Sequence, residues 1–140
     1  MPHEEIELRP VNHITTDAIG QPGQRVFYIH AWQNERTVTV IVEKLQIQSL
    51  AVGIEQFLSE VREKFHYLDE PSSDYTEDKM RISPPVDPLF RVGELGLGYD
   101  ADSDLVVLVA REALAEDQEA EEASVVRLWC TRSQIRALAR

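Results

Sequence analysis

Hydrophobic positions along the chain change period three times, and those changes lay out the elements. From Ile6 to Gly20 short apolar stretches are interrupted at Pro10, which predicts one or two short strands. Gly20-Gln21-Pro22-Gly23-Gln24 is a turn signal, because Pro presets φ and Gly accepts positive φ. Arg25 to Trp32 is rich in β-branched and aromatic residues. Alternation puts Val26, Tyr28, His30 and Trp32 on one face and Phe27, Ile29 and Ala31 on the other. Large apolar groups on both faces predict a central strand. A polar turn at Gln33-Asn34-Glu35-Arg36 leads into a further strand from Thr37 to Val42. Ile47, Leu50, Ile54, Phe57, Val61, Phe65 and Leu68 then recur at three- and four-residue steps. That is one face of an amphipathic helix from Lys44 to His66. Gly53 inside it costs about 1 kcal/mol against Ala, and a close helix–sheet contact would account for it.

Asp69 to Pro88 carries Pro71, Pro84, Pro85 and Pro88 among Ser, Asp and Glu, and reads as a long polar connection. Strand character returns from Leu89 to Tyr99, interrupted by Gly93, Gly96 and Gly98. Glycines inside a strand suggest a bulge or a close backbone approach. Asp100 to Asp104 is a turn. Leu105 to Ala110 is wholly apolar and predicts a buried strand. Ala115 to Ala123 is an acidic connection, Ser124 to Cys130 another strand, and Ser133 to Arg140 a helix. The order is three strands and a helix, twice. Gln-Ile-x-x-Leu-Ala occurs at Gln46 and again at Gln134, each time at a strand-to-helix junction. The expected fold is therefore α+β: a single domain, 1–140, of two β-β-β-α units at about 11–68 and 89–140. Their strands would form one antiparallel sheet or half-barrel with both helices packed on one face.

Charge narrows the function. Twenty-five Asp and Glu against 14 Lys and Arg give a formal net charge of −11. Such a surface repels phosphate backbones, and no basic stripe offsets it, so nucleic-acid binding is not expected. An anionic membrane surface is disfavoured for the same reason. No apolar run approaches the roughly 20 residues a bilayer span needs. The acidic N-terminus has no apolar signal region, and Cys130 is the only cysteine. A reducing, cytoplasmic setting is the expectation.

Candidate chemistry is sparse. Asp100-Ala101-Asp102-Ser103-Asp104 has the first acidic positions of a calcium loop. Leu105 then stands where such loops need Gly, and Arg111 where they need Glu, so a hairpin turn is the better reading. The histidines, His3, His13, His30 and His66, have no metal-ligand spacing. His30, between Tyr28 and Trp32 on one strand face, could line a pocket or act as a base; a hydrogen-bonded, part-buried imidazole is the plainer alternative. Gly93-Glu94-Leu95-Gly96-Leu97-Gly98 lacks the following helix that a phosphate cradle needs. Cys130 reads as small core filler. Arg25 and Glu43 fall near one sheet end across the hairpin, with Lys44 adjacent, and a structural ion pair is the simplest expectation there.

Ala18-Ile19-Gly20-Gln21-Pro22-Gly23-Gln24-Arg25-Val26-Phe27-Tyr28-Ile29-His30-Ala31 resembles the Gly-x-Pro-Gly-Gln-Arg-x-Phe-x-x-x-Ala signature of a bacterial family, domain of unknown function 3090. Val42-Glu43-Lys44, Phe90-Arg91-Val92-Gly93, Leu95-Gly96-Leu97-Gly98-Tyr99-Asp100 and the closing Ser133-to-Arg140 stretch are similar to its other characteristic segments. The resemblance runs from about Val11 onward. It implies no activity. Members tend to be found with a kinase-like and a phosphatase-like protein, which implies a partner or regulatory role. Typical members also carry a Cys- and His-containing tail that looks like a zinc knuckle. These 140 residues hold no counterpart, so no metal and no cofactor are expected.

Three functions stand side by side. One is a non-enzymatic protein-binding or regulatory domain that uses its sheet end or acidic loop. The second is a small-molecule binder or enzyme with a pocket around Arg25, Tyr28, His30, Trp32 and Glu94, and Glu43 and Lys44 close by. The third is a homodimer paired through exposed sheet edges.

Overall fold

The computed structural model describes residues 4–71, 81–82 and 86–139. Its strands are β1 (Glu5–Leu8), β2 (His13–Ile19), β3 (Val26–Gln33), β4 (Arg36–Val42), β5 (Val92–Asp100), β6 (Leu105–Glu112) and β7 (Val125–Cys130). Helix α1 (Lys44–Lys64) follows β4, and α2 (Arg132–Leu138) follows β7. Of the long polar connection, 72–80 and 83–85 lie outside the described residues, as do His3 and Arg140.

The fold is mixed α+β, but the strands form two sheets where one was expected. A three-stranded antiparallel sheet runs β2-β3-β4, and a four-stranded sheet runs β1-β7-β6-β5. β1 pairs with β7 in parallel, so the second sheet is not purely antiparallel either. The chain breaks between β1 and β2 at Pro10, where the pyrrolidine nitrogen has no hydrogen to give a ladder. One core unites the sheets. Ile14, Ile29, Ala31, Val38, Val40 and Val42 come from the first, and Val106, Leu108, Ala110, Val126, Leu128 and Cys130 from the second. Leu50, Ile54 and Leu58 of α1 and Ile135 and Leu138 of α2 complete it.

Backbone bonds sew the sheets together on two sides. Leu89 N–H donates to the Thr39 carbonyl at 2.8 Å and Ile41 N–H to the Phe90 carbonyl at 2.9 Å, so 89–91 runs beside β4 before β5 begins. Val11 N–H donates to the Trp129 carbonyl at 2.8 Å and Asn12 N–H to the Trp32 carbonyl at 2.7 Å.

The two glutamines of the shared sequence segment stand at the third position of their helices, after N-caps Glu43 and Thr131. Each Oε1 accepts from its own N-cap amide, at 2.7 Å for Gln46 and 2.9 Å for Gln134. Each Nε2 reaches the opposite half of the chain. Gln46 donates to the Val92 carbonyl at 3.0 Å, and Gln134 to the Asn12 carbonyl at 3.2 Å. Each helix start is thereby fastened to the other half where a meander begins, at Val92 in β5 and at Asn12 just before β2.

The glycines divide by their surroundings. A Cβ on Gly93 would lie 2.9 Å from the Ala113 Cα, a close backbone approach at the β5 bulge between Val92 and Glu94. A Cβ on Gly53 would meet nothing within 4 Å, so the expected helix–sheet contact is absent there and the space is open. Gly53→Ala should therefore raise unfolding free energy by about 1 kcal/mol through helix propensity alone. Gly93→Ala should lower it, because backbone rather than a side-chain tip would have to move. Urea denaturation of the two variants checks both signs.

Candidate functional site

Burial of Leu50, Ile54, Leu58 and Val61 turns one stripe of α1 inward and fixes what the rest of the helix displays. Leu45 and Val52 stay outside, 75% and 70% exposed. Seven residues apart, they share a helical face. That face borders a groove of about 410 Å3 between α1 and β5, lined by Leu45, Gln46, Ser49, Leu50, Gly53, Gly93, Leu95, Gly96 and Leu97. Gly96, like Gly53, has nothing within 4 Å of where a Cβ would stand. Two missing side chains thus keep the groove open. β5 is the last strand of its sheet, and no strand among the described residues pairs with its outer edge beyond the bridge at Arg91. The groove therefore combines an apolar helix wall with an unpaired sheet edge.

The outward face of β3 holds Tyr28, His30 and Trp32, as alternation predicted, while Phe27, Ile29 and Ala31 face the core. β3 is the central strand of its sheet. In register, Thr15 and Thr39 flank His30. His30 Nδ1 lies 2.7 Å from Thr39 Oγ1. The Trp32 ring stacks at a tilt on His13, 4.8 Å between centroids, and meets His30 edge-on at 5.9 Å. Ile82 is buried, and its N–H donates to Asp17 Oδ2 at 2.9 Å, so the connection returns to this sheet. Burial holds His30 below its ordinary 6.5, and the electrostatic influence of neighbouring His13 adds to the effect.

Glu94 is not part of this face. It stands exposed on β5 opposite Arg111, in the other sheet. Glu43 pairs with Arg91 at 2.8 Å rather than with Arg25. Arg25 and Lys44 do come together, lining a cleft with Pro22, Gly23 and Phe27. The predicted residues thus fall into four places: the β3 face, the Arg25–Lys44 cleft, the Glu94 position, and Glu43 beside Arg91.

Two carboxylates of the acidic turn, Asp100 and Asp104, are engaged. Asp100 accepts from Arg9, from Ser103 Oγ at 2.8 Å and from the Asp102 amide at 3.1 Å. Asp104 takes Arg132 Nε at 2.9 Å and the Tyr99 hydroxyl at 2.6 Å. The Ser103 and Arg9 bonds hold Asp100 below the usual carboxylate range. Burial pushes Asp104 up, but the Arg132 and Tyr99 bonds outweigh it and leave it lowered. No group of three or more potential ligands suited to a metal exists among the described residues. Cys130 is buried, and desolvation pushes its thiol up to about 12, which keeps it from acting as a thiolate near neutral pH. No helix among the described residues is long and apolar enough to cross a membrane.

The profile of a family described as protein of unknown function (DUF3090) matches residues 6–140, nearly the whole chain. The chain belongs to that family. No curated protein and no solved structure matches it. Membership in DUF3090 carries no assigned activity, so the site has to be read from its own geometry. The groove is what sequence reasoning missed. Its traces were Leu45 and Val52, apolar but off the buried stripe, and the unexplained Gly53.

His30 also sets a pH dependence. A lowered folded value means the unfolded chain binds the proton first as pH falls, so stability is full above about 6.5 and declines below it. The lowered Asp100 and Asp104 act in a separate window, below about 4. The melting temperature should therefore drop between pH 7.5 and 5.5, and His30→Gln should reduce that drop. Scanning calorimetry across this range measures it.

Proposed function

We propose that this protein is a binding domain that takes up an extended, apolar segment of a partner protein along the edge of β5, against α1. The observation that carries the reading is the groove itself, with one wall formed by Leu45 and Leu50 of the helix and the other by an unpaired strand edge. An extended segment added to such an edge gains main-chain hydrogen bonds, and its alternate side chains enter the groove. Strand edges that stay unpaired are templates for this addition. Gly53 and Gly96 leave room for those side chains. The kinase-like and phosphatase-like proteins implied by the resemblance are the partner classes to try first. The engaged carboxylates and the buried Cys130 support a non-enzymatic role.

The same proposal includes the architecture. Each of the meanders β2-β3-β4 and β5-β6-β7 runs into a helix, and Gln46 and Gln134 make matching bonds to the opposite half. This supports two related β-β-β-α units within one domain, with β1 as an addition. A single cysteine supports a cytoplasmic setting.

Selection from a displayed peptide library tests the binding reading. Selected peptides should alternate apolar and polar residues. Ser49→Trp, at an exposed groove position, should weaken them at least about tenfold, or ~1.4 kcal/mol, without lowering the melting temperature. Peptides that bind the variant as well as the parent would remove the groove from consideration. A doubled mass in light scattering that Ser49→Trp abolishes would give the edge to a second copy instead.

A further inference from the structure

We infer that the cleft between the Gly20-to-Gln24 turn and the start of α1 binds a small phosphate monoester, with Arg25 and Lys44 on the phosphoryl oxygens and Phe27 against the organic part. The cleft has a volume of about 330 Å3 and is lined by Pro22, Gly23, Arg25, Phe27 and Lys44. That is the low end for ligand pockets and fits a small molecule. Phe27 stands opposite Val42 in the last pair of the β3–β4 ladder, so Arg25, just before β3, and Lys44, at the start of α1, sit at the same end of that hairpin.

The charges are unusual for this chain. Acidic residues outnumber basic ones 25 to 14. Arg9, Arg62, Arg91, Arg127, Arg132 and Arg136 each pair with Asp or Glu. Among the described residues Arg25 and Lys44 pair with none, and no acidic side chain lines their cleft. Glu43, next in sequence to Lys44, is drawn away to Arg91. Arg36, Lys64 and Arg111 also lack a carboxylate partner, but they stand singly at the start of β4, the end of α1 and on β6.

The chemistry suits a phosphoryl group. A guanidinium offers paired N–H donors that match phosphate oxygens, and an ammonium adds a compact charge. Gly23 has φ +87°, and a Cβ there would meet nothing within 4 Å, so the turn leaves an open approach. The half-buried Phe27 ring supplies a flat apolar wall, which favours an ester over inorganic phosphate. This site shares no lining residue with the α1–β5 groove, so it stands or falls separately from peptide binding.

Amide NMR titration at constant ionic strength tests it, with phenyl phosphate and inorganic phosphate as probes and chloride as control. Phenyl phosphate should shift Gly23, Arg25 and Lys44 saturably, with Kd on the order of 1 mM or tighter, and bind several-fold tighter than inorganic phosphate. Arg25→Gln with Lys44→Gln should abolish the shifts while the rest of the spectrum stays folded. Arg111→Gln, on β6 of the other sheet and outside the cleft lining, should leave them unchanged. Shifts that chloride reproduces, or that survive the double variant, would overturn the site. Equal binding of the two probes would overturn the ester assignment.

Discussion

Neither meander of this protein can cover its own apolar face. β2-β3-β4 presents Ile14, Ile29, Val38 and Val40 on one side, and β5-β6-β7 presents Val106, Leu108, Val126 and Leu128. Left apart, each sheet would expose a contiguous apolar surface of the kind soluble monomers rarely show. Burying both faces in one shared core removes that surface from water, at roughly 25 cal/mol for each Å2. The helices then close what the sheets leave open. Most else in the molecule follows from that packing, including which strands end up with bare edges.

A shared core leaves open the relative placement of the two sheets, which directional bonds settle. Leu89 and Phe90 bond to β4, and Val11 and Asn12 bond to β7 and β3. Gln46 and Gln134 add one tie from each helix start to the opposite half. A glutamine can do this because its amide offers an acceptor for the N-cap and donors for a second carbonyl at once. Fixing α1 through its first turn also fixes the distance between its outer face and β5. The groove is thus a consequence of the same bonds that hold the halves together.

The two candidate sites differ in what they ask of a ligand. The α1–β5 groove offers shape, apolar surface and backbone edge, and is suited to a segment of chain. The Arg25–Lys44 cleft offers charge in a chain that otherwise compensates much of its positive charge. The β3 face is different again. Thr39 and Trp32 hold His30 in a position that burial makes costly to protonate.

Much of the architecture was legible along the chain because it depends on local periodicity. The strand and helix positions, the central place of β3, the inward stripe of α1 and the break at Pro10 all follow from spacing and backbone chemistry over a few residues. The two glutamine segments were visible as well, since matched positions in a sequence need no coordinates. What spacing cannot carry is pairing at long range. That β1 joins β7 in parallel, that the strands part into two sheets, and that Glu43 turns to Arg91 instead of Arg25 all depend on contacts across 48 or more positions. The groove belongs to the same class. Gly53 and Gly96 look like weaknesses of a helix and a strand when read singly, and only their meeting across α1 and β5 makes them an opening.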